Sequence, residues 1–424
     1  MPLPDPRRQR QFALEVVRAL RAAGHEAYWA GGCVRDELLG RQPKDYDVAS
    51  SATPAEIQRV FRRRRTLAIG AAFGVITVLG PRRAGQIEVA TFREDDHYSD
   101  GRRPDSVRFS TAAMDARRRD FTINGLFYDP DENRVLDYVG GQEDLHRGLV
   151  RAIGDPHVRF DEDRLRMLRA IRFTATFQFE LEGETQRAVR TMAHGIDKVS
   201  AERIGTEVQL MLVHATRAEG VQLMRATGLL RALLPELDAL CGGEKGGPQW
   251  QATLRVLAAL RNPDFALALA ALLHSMEEPS LVKRVGARWR LRTRDVARAT
   301  WLVQNCRQID EATTMDWSRL QRLLISDGID QLLALNQAVV GGESPQLVFC
   351  RERLALPSAE LDPPPLVTGD DLLAHGIAPG KPFGRLLERL RDAQLNRLIH
   401  TRAEALALAD QLLADAAGDQ EGCW

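Results

Sequence analysis

The chain changes character at Asp155-Pro156, and that change restricts its architecture more than any other feature. Ahead of it lie brief β-prone runs: Ala27 to Ala30, Asp45 to Ala49, Gly74 to Leu79, Ile87 to Phe92 and Leu126 to Tyr128. Runs of this length between polar turns read as strands. Helical stretches stand between some of them: Phe12 to Ala23, stopped by Gly24, then Val34 to Leu39 and Pro54 to Arg62. Thr53-Pro54-Ala55-Glu56 reads as a helix start, with a capping hydroxyl, a first-position proline and an early acid. Beyond Asp155-Pro156, to about residue 355, Ala, Leu and Arg at helical spacing replace the strands. The glycine-rich loop 242–248 and the stiff Pro363-Pro364-Pro365 interrupt this pattern. A helix start at Asp370-Asp371 and an amphipathic end running to Leu413 follow, and Gly418 to Trp424 reads as a frayed tail. No internal repeat is present. The expected fold is an α/β head, a small mixed sheet with helices, followed by an extended all-α portion.

Length allows two to four domains. The 58 Lys and Arg balance the 58 Asp and Glu, so a nucleic-acid partner needs a local basic surface. Candidates are Arg62 to Arg65, Arg102-Arg103, Arg117 to Arg119 and the arginines from Arg164 to Arg172, each of which also reads as a solvated face. The five cysteines, Cys33, Cys241, Cys306, Cys350 and Cys423, are too scattered to pair as metal ligands and fit a reducing compartment. The stretch Met1 to Arg8 lacks the apolar core of a signal peptide, and no segment is apolar and long enough to span a bilayer. The expectation is a cytoplasmic protein with no membrane partner and no evident obligate protein partner.

The chemistry concentrates between Gly31 and Asp47. Asp45 and Asp47 are two apart, so on a strand both carboxylates face one side. So placed, they can hold two Mg²⁺ ions against the triphosphate of a nucleotide. Glu88, on the run Gln86 to Phe92, is the best third carboxylate. Gly31 and Gly32 precede a helix and let backbone approach phosphate, and Arg35 adds a charged donor. An acidic pair capping a strand end is the plainer alternative. No G-x-G-x-x-G is present, which argues against a dinucleotide site.

Gly31-Gly32-Cys33-Val34-Arg35-Asp36 with Asp45-Tyr46-Asp47 resembles the first motif of the class II nucleotidyltransferases. That family comprises tRNA nucleotidyltransferases (CCA-adding enzymes) and bacterial poly(A) polymerases, within the polymerase-β superfamily. Arg118-Arg119-Asp120-Phe121-Thr122-Ile123-Asn124-Gly125 resembles the second motif, Asp137 to Gly141 with Asp144-Leu145 the third, Glu162-Asp163-Arg164-Leu165-Arg166 the fourth, and Ser200-Ala201-Glu202-Arg203-Ile204 the fifth. The resemblance covers roughly the first half of the chain. It implies that Arg119 meets sugar and phosphates with Asp120 near the ribose hydroxyls, that Asn124 belongs to the nucleotide site, and that Arg169 and Arg172 hold the triphosphate. The third motif would be a hinge and the fifth a helix-stabilising element. The implied division is a catalytic head (1–150), a helical neck with the base-reading helix (151–215), a body (216–355) and a tRNA-binding tail (356–424).

The fourth motif also has a physical reading. Asp163 and Arg166, three apart on a helix, are neighbours on its surface. A carboxylate accepts from an exocyclic amine while a guanidinium donates to the ring, so one pair suits cytosine and adenine but not guanine or uracil. A plain i,i+3 ion pair is the alternative. Leu165, Leu168 and Ile171 are expected in the core. The polar stretch Thr91 to Asp105 reads as a mobile loop; in the resembled family a full-length loop here goes with addition of A. His274-Ser275 lacks the His-Asp doublet of a phosphohydrolase site, so His274 reads as structural and no phosphatase activity is expected. Where poly(A) polymerases carry a basic doublet, this chain has Ala71-Ala72 before Phe73-Gly74. The resemblance therefore implies a template-independent, Mg²⁺-dependent enzyme adding C and A from CTP and ATP to the tRNA 3′ end. An A-adding enzyme, a poly(A) polymerase and a catalytically silent RNA-binding module remain as alternatives.

Overall fold

The computed structural model describes residues 5–95, 107–240, 242, 246–378 and 381–418. The chain separates into two units, Met1–Trp250 with Val285–Leu291, and Gln251–Arg284 with Arg292–Trp424. Of the expectations above, residues 96–105 of the Thr91 to Asp105 loop, the tail after Gly418, Cys241 and Cys423 lie outside the described residues.

The first unit opens with α1 (Pro6–Ala22), β1 (Ala27–Ala30), α2 (Gly32–Leu38), β2 (Asp47–Ser50), α3 (Pro54–Phe61), β3 (Thr66–Leu67), β4 (Val75–Leu79) and β5 (Gln86–Thr91). A two-stranded ribbon follows, β6 (Arg93–Asp95) against β7 (Val107–Phe109), so the stems of the expected loop are paired strands. Next come α4 (Ala112–Arg117), β8 (Phe127–Asp129) and β9 (Arg134–Leu136). Helix α1 starts earlier than its apolar spacing predicts, because Asp5 accepts from the backbone N–H of Arg7 and Arg8 and Pro6 opens the first turn. The start read at Thr53 is a full capping box with Glu56.

Seven strands form one sheet in the order β3-β4-β5-β2-β1-β8-β9. Every neighbouring pair is antiparallel except β2 with β5, which places Asp47 opposite Glu88. Ala30 lies opposite Phe127, so the chain leaves β1 at Gly31 and enters β8 at the edge where β2 begins. The Gly31 N–H donates to Leu126 O at 2.9 Å across that edge. Val48, Ile76, Val89 and Phe127 are fully buried; burial of such side chains contributes roughly 1.5–3 kcal/mol each.

The rest of this unit is helical: α5 (Gly141–Arg147), β10 (Leu149–Val150), α6 (Pro156–Glu162), α7 (Leu165–Phe177), β11 (Glu180–Leu181), α8 (Gly183–Met192), α9 (Ala201–Leu212) and α10 (Arg217–Ala226) lead into shorter helices. Helix α7 packs against α9 and α10, and Leu165, Leu168 and Ile171 are buried as expected. In the second unit, helix Phe265–Leu273 is buried on every side and packs against helices Thr293–Asn305 and Ile329–Val340. Helices Gly369–Ala374, Lys381–Leu395 and Arg402–Gly418 share a separate cluster around Leu372, Leu390 and Ala405. His274 sits with Nδ1 2.7 Å from Ala271 O, and burial lowers its pKa. Cys33, Cys306 and Cys350 are free and buried, and burial pushes the Cys33 and Cys306 thiols up to about 12. Among the described residues no helix is long and apolar enough to cross a membrane.

Candidate active site

A cleft of about 680 Å³ opens at the edge of the sheet where β2 begins. Of the thirteen side chains and glycines read as site residues, all but Glu88 line it. Gly31 has φ +74°, and a Cβ there would come within 2.7 Å of Arg119 Nη1; glycine is required both for the turn and for the approach of that arginine.

Asp47 opens β2, but Asp45 precedes the strand rather than lying on it. The strand is thus shorter than expected, while both carboxylates line the same cleft. Solvent reaches Asp47 through the cleft mouth, yet its pKa is pushed up to about 6, by burial first and then by the charges of Asp45 and Glu88, against the opposing charge of Arg119. Glu88 is exposed on the neighbouring strand, level with Asp47. Among the described residues Asp45 and Asp47 have no ion pair, and no group of three or more His, Cys, Asp or Glu side chains stands ready to hold an ion alone. Two hard, mutually repelling, unpaired carboxylates fit a divalent cation that takes its other ligands from phosphate and water.

The cationic wall is built from three directions. Arg119 donates to Asp115 at 3.0 and 3.2 Å and to Asn124 O at 3.3 Å. Arg169 pairs with Asp120 at 2.6 Å, and Arg172 with buried Glu207 at 2.6 Å. Asp120 is buried, which alone would raise its pKa; the Arg169 charge and hydrogen bonds from Asn124 and Arg169 outweigh this and hold it at about 2. Asp120 is thus an anchor for Arg169 as well as a cleft residue. Arg35 is likewise tied down, 2.5 Å from Asn124 Oδ1 and 2.7 Å from Asp36 Oδ1. The Phe173 ring lies under three guanidinium groups, Arg172 at 4.3 Å, Arg169 at 5.1 Å and Arg35 at 5.3 Å.

The pair Asp163 and Arg166, expected to read the base, is arranged differently from the sequence expectation. Asp163 is not on a helix: it has extended backbone, φ −152° and ψ 101°, between α6 and α7. Arg166, in the first turn of α7, pairs with Glu162 at 2.6 Å and not with Asp163. Asp163 instead accepts two hydrogen bonds from Arg203, at 3.1 and 2.7 Å, and one from the Leu165 N–H at 3.1 Å. The surface i,i+3 ion pair is therefore absent, and both side chains are free to point into the same cleft. Two further hydrogen bonds, from Arg166 Nη1 to Arg159 O and from Nη2 to Arg118 O, fix its plane. Of the five N–H donors of the guanidinium, three are used in these bonds and the one to Glu162, and Arg166 lines the cleft.

Arg203, Phe173, Arg118 and Leu165 also line the cleft and were not singled out as site residues; Glu207 braces it from behind. The fifth motif contained Arg203, but its partner lies forty positions away and no local spacing discloses the pair.

A mixed sheet with edge carboxylates, a glycine turn and a facing helical arginine wall defines a nucleotidyltransferase head joined to a helical portion. The profile described as "Poly A polymerase head domain" matches residues 27–151, and that described as "Probable RNA and SrmB- binding site of polymerase A" matches residues 178–241. The CCA-adding enzyme of Lacticaseibacillus paracasei is 33% identical over 390 residues, 89% of this chain and 90% of that one. The CCA-adding enzyme of Bacillus velezensis is 42% identical over 234 residues, 55% of this chain; the match there spans only 57% of the relative's length. The crystal structure of the Bacillus stearothermophilus CCA-adding enzyme in complex with CTP superposes with a TM-score of 0.77 at 26% identity, over 98% of this chain and 99% of that one. The chain belongs to the class II tRNA nucleotidyltransferase and bacterial poly(A) polymerase family.

Proposed function

We propose that this chain adds C and A to the 3′ end of tRNA, using CTP and ATP, without a nucleic-acid template. The observation that carries this reading is the single cleft shared by Asp45 and Asp47, the Arg119, Arg169 and Arg172 wall, and the Asp163–Arg166 pair. Asp45 and Asp47 would hold Mg²⁺, with Glu88 as the third carboxylate beside them. When bound there, the metal activates the attacking hydroxyl and stabilises the pyrophosphate leaving group.

The chain's own residues do the positioning. Arg119, Arg169 and Arg172 bind the triphosphate, with Gly31 and Gly32 letting the backbone close on it. Asp120 and Asn124 stand on the ribose side. Asp163 keeps acceptor capacity beyond its bonds to Arg203 and Leu165, enough for one exocyclic amine, and Arg166 donates to the ring beside it. Cytosine and adenine share that donor–acceptor order, so the protein itself selects the base. Residues 1–150 act as the head, 151–215 as the neck, 216–355 as the body and 356–424 as the tail on tRNA.

The family profile on the head also covers poly(A) polymerases, which supports tailing as the second reading. Against it stand Ala71 and Ala72, which form a short turn with Phe73 where those enzymes carry basic residues. The test offers tRNAs ending before CCA, after C and after CC, with each nucleotide, and sequences the products. Completion of CCA on all three supports the proposal; A-addition only after CC, or long A tails, replaces it with the corresponding alternative.

A further inference from the structure

The basic run Arg62 to Arg65 takes no part in the cleft, yet strand register places it nearby. Level with Asp47 across the sheet stand Glu88 on β5, Thr77 on β4 and Leu67 on β3. From that level toward Asp45, β3 leads back to Arg65, and β4 and β5 meet in the turn 80–85. The run and the turn therefore lie along the same edge of the sheet as the catalytic carboxylates. The start of α1 is tied to that edge as well: the Asp5 N–H donates to Arg83 O at 2.8 Å, and Arg8 Nη1 donates to Arg82 O at 3.4 Å. Arg65 Nη2 reaches Leu79 O at 3.4 Å.

Three segments thus bring together Arg7-Arg8, Arg62 to Arg65 and Arg82-Arg83, all exposed. Among the described residues none of these arginines makes an ion pair, whereas the arginines of the cleft wall are matched to carboxylates. In a chain of zero net charge, that local excess is a distinct field. The carboxylates nearby are Asp5, which caps α1, Glu15, which borders the recess described next, and Glu88, on the strand between the patch and Asp47. The recess, of about 370 Å³, has Phe12, Val16 and Phe61 below and Arg62, Arg64 and Arg65 at its rim.

We propose that this edge is a second phosphate-binding surface, which grips the backbone of the RNA whose 3′ end is being extended. Strands β4 and β3 stand two and three spacings from β2, so the surface begins roughly 10–15 Å from Asp47, within reach of a chain whose end lies in the cleft. The proposal rests on the reading of the chain as an RNA-extending enzyme.

The test uses the full chain carrying Arg63→Glu, Arg64→Glu and Arg82→Glu together, and tRNA lacking its 3′ CCA. RNA affinity is measured between roughly 50 and 200 mM salt, where each phosphate contact contributes about 0.7–0.9 to the slope of log K on log salt. The expected result is a slope shallower by about 2 and binding weakened at least about tenfold at the lower salt, with KM for CTP and the melting temperature unchanged. The corresponding triple Arg→Lys variant keeps wild-type affinity and slope. Wild-type slope and affinity in the Glu variant overturn the proposal, and so does equal loss in the Lys variant, which would mark a structural role. Failure of the wild-type chain to incorporate any nucleotide removes the enzymatic reading instead; the binding slope reports on this surface separately.

Discussion

Replacing Arg203 by Ala separates base choice from bond formation. Arg203 is the bidentate partner of Asp163, at 3.1 and 2.7 Å, with both side chains largely shielded from solvent. Without it, one backbone N–H from Leu165 is the remaining support for a carboxylate on non-helical backbone. Charge-assisted hydrogen bonds to such a group contribute roughly 1.5–3 kcal/mol each, and exposure of about a fifth of the pair places the loss toward the lower figure. The share that matters for fidelity is the aim of Asp163 at the base amine, where a good polar contact supplies about 1–3 kcal/mol of discrimination. The preference for CTP over UTP, and for ATP over GTP, should therefore fall by roughly 5- to 150-fold. Single-turnover incorporation into tRNA lacking CCA, with each nucleotide in turn, measures it. Arg203→Lys should lie between wild type and Ala, because an ammonium cannot reproduce the fork. If Arg203→Ala slows all nucleotides equally and leaves the preference intact, Arg203 merely supports the fold and the reasoning fails.

Asp47→Ala should lower incorporation at least about a hundredfold while tRNA affinity in a filter assay survives; near-normal turnover would remove the metal role. Phe173→Leu takes the ring from under three arginines and should raise KM for CTP by roughly 2- to 10-fold, with Phe173→Tyr close to wild type; an unchanged KM in the Leu variant would show that the arginines are held by their carboxylates alone. Asp120 has a folded-state pKa of about 2, below its ordinary value, so its stabilisation is present above pH ~4 and lost as pH falls through 2. That is on the order of 2 kcal/mol, and Asp120→Asn should flatten urea stability across this window; parallel pH curves for the two proteins would contradict it.

Much of the head was legible because its signals are local. Thr53 and Glu56 bond as their spacing says, and the runs at Ala27, Val75 and Gln86 are strands that place the glycine turn and Asp47 at one edge. The failures have a common cause. Asp163 sits in a stretch with no proline or glycine to announce a break, so spacing puts it on one helix with Arg166. Glu162, the carboxylate partner of Arg166, stands at i,i+4, a spacing that local reading allows, but the bond from Arg166 to Arg118 O and those from Arg203 to Asp163 come from tertiary packing that spacing cannot report. Asp45 reads as part of the strand because alternation looks the same two residues before a strand as within it. Arg62 to Arg65 reads first as a solvated face, and only strand register shows that it lies along the same sheet edge as the carboxylates.

The acids at the sheet edge and the side chains proposed to face the base hang on different scaffolds, the acids at the start of β2, the others at the junction of α6 and α7 and the first turn of α7. On the proposed reading, a lineage can rewrite which letter it accepts by altering one helical junction, while the machinery that joins the letter to the strand is inherited untouched.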